Sequence, residues 1–213
     1  MDDYIKYDMD SAMYWPVYEE KPFYRFKKFM ESSKDVEFAI SLCESPRVAV
    51  QAGGHIGIWP RKLKNIFKKV ITFEPDPYCF ECILENTHGV TAYNLALGNE
   101  SREIDLYYIK PKQSGRLTKH YKEGAQRCVA HQTTIDSLDL DRCDFICLDI
   151  EGNEIEALDG AELTINAYKP VIQIEAWPWN VESYDKYMGR IGYVFVKQIN
   201  DDRIYVSKDH QGR

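Results

Sequence analysis

The stretch from Arg47 to Asp76 constrains the fold more than any other part of the chain. It reads R-V-A-V-Q-A-G-G-H-I-G-I-W-P and, further on, K-K-V-I-T-F-E-P-D. Val48, Ala49 and Val50 form an apolar run of the kind buried on both faces of a parallel sheet. Gly53, Gly54 and Gly57 then predict a tight turn in which backbone N–H groups can approach a ligand with no Cβ in the way. Ile58 to Phe67 predicts a helix, with Pro60 tolerated in its first turn. Val70 to Phe73 predicts a second strand, and Glu74 stands at its carboxyl end, where an acid grips ribose hydroxyls. The unit points to a nucleoside cofactor without selecting one.

The flanking sequence extends this pattern. Residues 1–46 predict an aromatic arm, containing Tyr14, Trp15 and Tyr18, followed by a helix over Glu31–Cys43. Residues 47–213 predict the main domain. After a helix over Asp76–Asn86 come strands over Val90–Leu95 and Ile104–Ile109, with a third short strand at Val129–Gln132. Between them lies a basic, glycine-punctuated insertion at about 110–128, carrying Lys110, Lys112, Arg116, Lys119, Lys122 and Arg127. A loop this long inside a compact domain is usually functional or disordered. A short helix at Thr133–Leu138 follows, with Thr133 or Thr134 as its N-cap. Then come a strand over Phe145–Asp149, a helix over Asn153–Leu163 and a strand over Val171–Glu175. Trp177-Pro178-Trp179-Asn180 is a loop before a helix over Val181–Ile191. Two strands joined at Asn200-Asp201-Asp202 close the chain as a hairpin. Alternating strands and helices predict an α/β open sheet, mostly parallel with an antiparallel C-terminal hairpin strand.

Charge and cysteine usage narrow the function classes. The net charge is -7, and the densest basic group (Arg61, Lys62, Lys64, Lys68 and Lys69) reads as a solvated helix face, so nucleic-acid binding is disfavoured. No apolar run approaches the ~18–20 residues of a membrane span. The start Met1-Asp2-Asp3 lacks the basic region and apolar core of a signal peptide. Six cysteines include one CxxC, Cys79 and Cys82, inside a predicted helix with no second pair at zinc spacing. These features predict a reducing, cytoplasmic setting.

The second informative stretch is Leu148-Asp149-Ile150-Glu151-Gly152-Asn153-Glu154. It places acids at the end of a strand beside the first one, at the switch point of the sheet. Acids there attract a ligand carrying a sulfonium and an ammonium and repel a pyrophosphate.

Taken in order, V-A-V-Q-A-G-G-H-I-G, F-E-P-D-P, N-L-A-L-G, T-T-I-D-S-L, L-D-I-E-G-N-E and K-P-V-I-Q-I-E resemble the FkbM-type methyltransferase family over about Val48 to Glu175. The resemblance implies a class I methyltransferase, Rossmann-like fold, S-adenosylmethionine as methyl donor, and O-methylation, often of sugars in glycans or natural products. Carried onto this chain, it places Gly53, Gly54, His55 and Gly57 at the amino-acid end of the cofactor. Glu74 takes the ribose hydroxyls, Pro75 and Asp76 the adenine side, and Asn94, Leu95 and Ala96 border the adenine. Asp149 and Glu151 lie near the transferring methyl. One position departs from the pattern. Gln51 stands where the family carries an acid; its amide can orient the glycine loop but supplies no charge.

For the reaction itself Asp149 is the first candidate base, with Glu151 or His131 behind it. No metal site is assigned, although Asp149, Glu151 and Glu175 could converge on a divalent cation. The acceptor expected is a small molecule or glycan. The basic insertion would attract an acidic or phosphorylated group on it, and the aromatic arm would stack on a sugar ring. Two other classes remain open at this point: a non-catalytic cofactor-binding module and a nicotinamide-dependent oxidoreductase.

Overall fold

The computed structural model describes residues 4–7, 13–16, 24, 26–27, 35–108, 117–119 and 123–210. Its centre is a seven-stranded sheet of order β12-β13-β11-β10-β3-β4-β5. The strands are β3 (Val48–Ala52), β4 (Lys69–Phe73), β5 (Thr91–Tyr93), β10 (Phe145–Leu148), β11 (Val171–Glu175), β12 (Tyr193–Ile199) and β13 (Asp202–Ser207). β3 pairs in parallel with β4 and β10, and β10 with β11. β13 runs antiparallel to both β11 and β12, as the closing hairpin predicts. The chain leaves β3 toward β4 on one side and later fills β10 and β11 on the other. The switch point therefore falls between β3 and β10.

Strands buried on both faces need cover on both. On one face Val50, Ala52, Ile146, Leu148, Ile172 and Ile174 pack against α4 (Glu154–Asp159), α5 (Glu162–Tyr168) and α6 (Val181–Arg190). On the other face Ala49, Val70, Phe145, Cys147 and Val171 meet Val36, Ala39 and Ile40 of α1 (Asp35–Ser41) and Leu63 of α2 (Ile58–Lys64). The helix expected over Asn153–Leu163 is broken into α4 and α5. Gly160 sits against the neighbouring loop so closely that a Cβ there would lie 2.0 Å from the Gly98 carbonyl oxygen.

The single strand expected over Val90–Leu95 is likewise divided. After β5 the chain turns at Asn94–Leu95 and enters a second sheet of order β6-β9-β7-β8. It comprises β6 (Ala96–Leu97), β7 (Arg102–Tyr108), β8 (Leu117–Thr118) and β9 (Arg127–Thr133). The expected insertion is thus framed by strands. Lys110, Lys112, Arg116 and Lys122 lie outside the described residues.

At the N-terminus, β1 (Tyr4–Tyr7) and β2 (Met13–Pro16) form an antiparallel hairpin. Met13 and Trp15 are buried against Ile56, Ile58, Cys79 and Cys82. Asn86, at the end of α3 (Pro77–Asn86), fastens the hairpin to the glycine loop. Its Oδ1 accepts from Tyr14 N–H (2.7 Å), and its Nδ2 donates to Tyr14 O (2.9 Å) and Ile56 O (2.8 Å). No helix among the described residues is long and apolar enough to cross a membrane. All six cysteines are free.

Candidate functional site

A crevice of about 750 Å³, counted to its open mouth, lies outside the carboxyl ends of β3, β4 and β10. This is where open α/β sheets bind ligands. Its floor is Ala52, Gly53, Phe73, Glu74 and Pro75. Asp149, Ile150 and Glu151 form one wall, and Leu95, Ala96 and Leu97 another. Ile104, Leu106 and Leu117 of the second sheet close it from above.

The glycine loop is built differently from its expected role as a donor cradle. The N–H groups of Gly53 and Gly54 both donate to the Phe73 carbonyl, at 3.0 Å each. Gly57 N–H donates to Gly54 O (2.8 Å), and His55 N–H to Glu74 Oε2 (2.7 Å). The loop instead brings backbone close to backbone. A Cβ on Gly53, which has φ +80°, would lie 1.9 Å from the Asp149 carbonyl oxygen. Gln51 stands behind the loop, buried and outside the crevice lining. Its Nε2 donates to Ala52 O (2.9 Å) and Gly53 O (3.0 Å), and its Oε1 accepts from Thr72 Oγ1 (2.5 Å). The amide therefore orients the loop.

Glu74 is almost fully enclosed by the protein. Its Oε1 accepts from Asp76 N–H (2.8 Å), and Asn94 Nδ2 holds its backbone carbonyl (2.8 Å). Burial, and then Asp76, push its pKa well above the usual range, against the pull of the two backbone donors. Asp76 itself caps α3 by accepting from Tyr78 N–H (3.0 Å) and is not part of the lining.

The acid loop is shaped by Glu151 and Gly152, both at positive φ. Buried Glu154 holds it from beneath. Its Oε1 accepts from Ile150 N–H (3.0 Å) and Gly152 N–H (3.2 Å), while Tyr184 O–H donates to Oε2 (2.5 Å). Asn153 ties the loop to β6 through Nδ2 to Leu97 O (2.6 Å). The loop thereby carries Asp149 and Glu151 toward Glu175, and each of the three offers an oxygen within 4.8 Å of the others. An all-oxygen set of this kind matches a hard divalent cation. It equally matches carboxylates that share a proton. Burial, then the charges of Asp149 and Glu151, push Glu175 up to about 10.

This cluster makes stability depend on pH in a definite direction. Burial and the neighbouring carboxylates make the folded protein bind a proton at Glu175 more tightly than the unfolded chain does, so stability falls as pH rises above the ordinary carboxylate range. Glu175→Gln removes that proton exchange and should flatten the decline. Thermal melts across this range should show the variant gaining on the parent at alkaline pH by several degrees, at about 2–4 °C per kcal/mol. Parallel curves would mean that Glu175 is ionised at neutral pH.

Of the residues expected at the site, Gly53, Glu74, Pro75, Leu95, Ala96, Asp149 and Glu151 line one crevice. Gly54, His55 and Gly57 support it from the loop, and Asn94 supports Glu74. His131 must be corrected. It lies exposed on β9, where Cys128, Ala130 and Gln132 alternate inward while Arg127, Val129 and His131 alternate outward. It pairs with Glu103, whereas inward Ala130 pairs with Ile104 of the crevice roof. Trp15 is corrected too. It is fully buried, edge-on to His55 at 5.6 Å, and offers no surface to a sugar. Tyr18 lies outside the described residues. Lys119 lines the crevice, but its ammonium is paired with Glu156. Sequence reasoning missed the apolar roof, Ile104, Leu106 and Leu117. The alternation of R-E-I-D-L-Y-Y was the available signal for Ile104 and Leu106.

Residues 51–195 match the Methyltransferase FkbM domain family. The chain belongs to the FkbM methyltransferase family. Among solved structures it is similar to methyltransferase FkbM from Methylobacillus flagellatus KT (TM-score 0.55, 21% identity), over 76% of this chain and 44% of that one. It thus spans less than half the length of that relative. It is also similar to the ribosomal protein L11 methylase of Lactobacillus delbrueckii subsp. bulgaricus (TM-score 0.50, 9% identity), over 82% of this chain and 78% of that one. These likenesses show the class I methyltransferase fold. No curated protein matches the chain significantly. Within the FkbM domain match fall the glycine loop, Glu74 and the Asp149–Glu154 loop.

Proposed function

We propose that this FkbM-family chain is an S-adenosylmethionine-dependent methyltransferase that methylates a hydroxyl oxygen, with a sugar or another small polyol as acceptor. The observation that carries the reading is how the glycine loop uses its N–H groups. Those of Gly53, Gly54, His55 and Gly57 end on Phe73, Glu74 and Gly54 within the protein, so these four offer a pyrophosphate no donors. Lys119 is the one cation among the described lining residues, and Glu156 occupies it. This disfavours a nicotinamide dinucleotide.

The carboxylates suit a ribose diol and a cationic ligand. Glu74 would hold the ribose hydroxyls, Leu95, Leu97 and the roof residues the adenine, and Gly53, Asp149 and Glu151 the amino-acid end. When bound, the cofactor supplies an electrophilic methyl group on a sulfonium. Asp149 orients the acceptor hydroxyl and takes its proton, with Glu151 as the adjoining carboxylate. The free thiols support a reducing compartment, the cytoplasm.

Thermal shift tests the cofactor. S-adenosylhomocysteine at about a hundredfold excess over its Kd should stabilise the fold by ~2.7 kcal/mol, or about 5–11 °C in Tm. NADH should leave Tm unchanged. The reverse pattern would overturn the reading.

A further inference from the structure

We infer that the stacked indoles of Trp177 and Trp179 are the acceptor platform of this site, taking the C–H face of a pyranose ring while Asp149, Glu151 and Glu175 meet its hydroxyl edge. The inference rests on the methyltransferase reading above and adds the surface that would hold its acceptor.

Trp179 is 78% exposed, more than any other large hydrophobic side chain among the described residues. A bare indole is costly in water, and this one is also held in place. Its ring lies 5.3 Å from that of Trp177 with only 4° between the planes. Trp177 Nε1–H donates to Glu175 Oε2 (3.2 Å). The loop is closed at both ends, by Ala176 N–H to Asp201 O (2.7 Å) and Asn180 N–H to Trp177 O (2.9 Å). An aromatic face fixed before the ligand arrives avoids the ordering cost of binding. Through Glu175 the pair adjoins Asp149 and Glu151, the carboxylates assigned to the reacting hydroxyl.

The chemistry of the two halves selects the ligand. Indole faces take flat apolar surface. Carboxylates accept hydrogen bonds and, when ionised, donate none. A pyranose offers both, with C–H bonds on its face and O–H donors around its edge. A phenol or catechol also has a flat face, but its one or two O–H donors lie on one side, whereas a pyranose presents them around the ring to three carboxylates. An ammonium would satisfy indole and acids alike, but beside Asp149 it stays protonated and has no lone pair to receive a methyl group.

The test is a titration of the protein with methyl β-D-glucopyranoside, methyl β-D-galactopyranoside and methyl α-D-mannopyranoside, and separately with choline. It is read on the indole N–H resonances of the four tryptophans, with Trp179 assigned through Trp179→Phe. At least one glycoside should shift the Trp177 and Trp179 signals saturably, with Trp15 unmoved. Trp179→Ala should weaken that binding about tenfold and Trp179→Phe less, with S-adenosylhomocysteine affinity unchanged in both. Shifts with choline alone, no shift with any glycoside, or undiminished binding by Trp179→Ala would overturn the platform. If glycosides move the two indoles but S-adenosylhomocysteine does not bind, the methyltransferase reading falls and the platform stands.

Discussion

Gly53→Ala is expected to be the most damaging single substitution in the domain. Two independent costs meet there. The backbone holds φ +80°, which charges an L-residue about 1–2 kcal/mol. The new Cβ would also overlap the Asp149 carbonyl oxygen at 1.9 Å, and this obstacle is backbone, which cannot rotate aside. Relief requires β3 and β10 to separate at their carboxyl ends, where they are hydrogen-bonded through Asp149 N–H to Ala52 O (3.1 Å). A loss of at least ~3 kcal/mol follows, or about 6–12 °C in Tm. Because Asp149 is displaced in the same movement, S-adenosylhomocysteine should fail to stabilise what remains folded. A variant that melts with the parent would show that the loop has room to relax. Gly54→Ala is the informative comparison, since there the clashing atoms are the Ile83 and Thr72 side chains, both at 2.7 Å.

Asp149→Asn should have the opposite profile, an intact fold with little turnover. The amide keeps the shape of the carboxylate, and the residue is partly exposed at the end of β10. What it loses is the ability to take a proton and the charge that raises Glu175. A positioned general base contributes roughly 10²–10⁴-fold, so methyl transfer, followed as S-adenosylhomocysteine released in the presence of acceptor, should fall into that range. Binding of S-adenosylhomocysteine should persist. Turnover within about twofold of the parent, only ~0.4 kcal/mol in the barrier, would assign Asp149 to structure and move the base to Glu151.

Trp15 and Trp179 mark how far a sequence can be read. Both sit in short aromatic stretches beside a proline, M-Y-W-P and W-P-W-N. One is fully buried beneath the glycine loop and the other is the most exposed large hydrophobic side chain described. Burial of a side chain outside regular periodicity depends on what arrives from elsewhere in the chain. For Trp15 that partner is a surface made by Ile56, Ile58, Cys79 and Cys82. His131 makes the same point within a strand. The alternation along β9 was readable, but its phase was not. A shift of one residue sends every side chain to the other face, and only the pairing with β7 fixes which face is inward.

The sequence by itself determined the parallel order of the core and the chemistry at its edge. Long apolar strand runs specify two-sided burial locally, and an acid directly after such a run must emerge at a strand end. Glu74, Asp149 and Glu175 were therefore placed by their neighbours in the chain. The tertiary structure alone decided what those ends face. It drew together the three carboxylates that the sequence offered only as candidates for convergence, roofed the crevice with residues of a second sheet, and satisfied glycine-loop N–H groups on Phe73, Glu74 and Gly54. Each of these depends on contacts between segments far apart in sequence, and such contacts leave no period or spacing to be read.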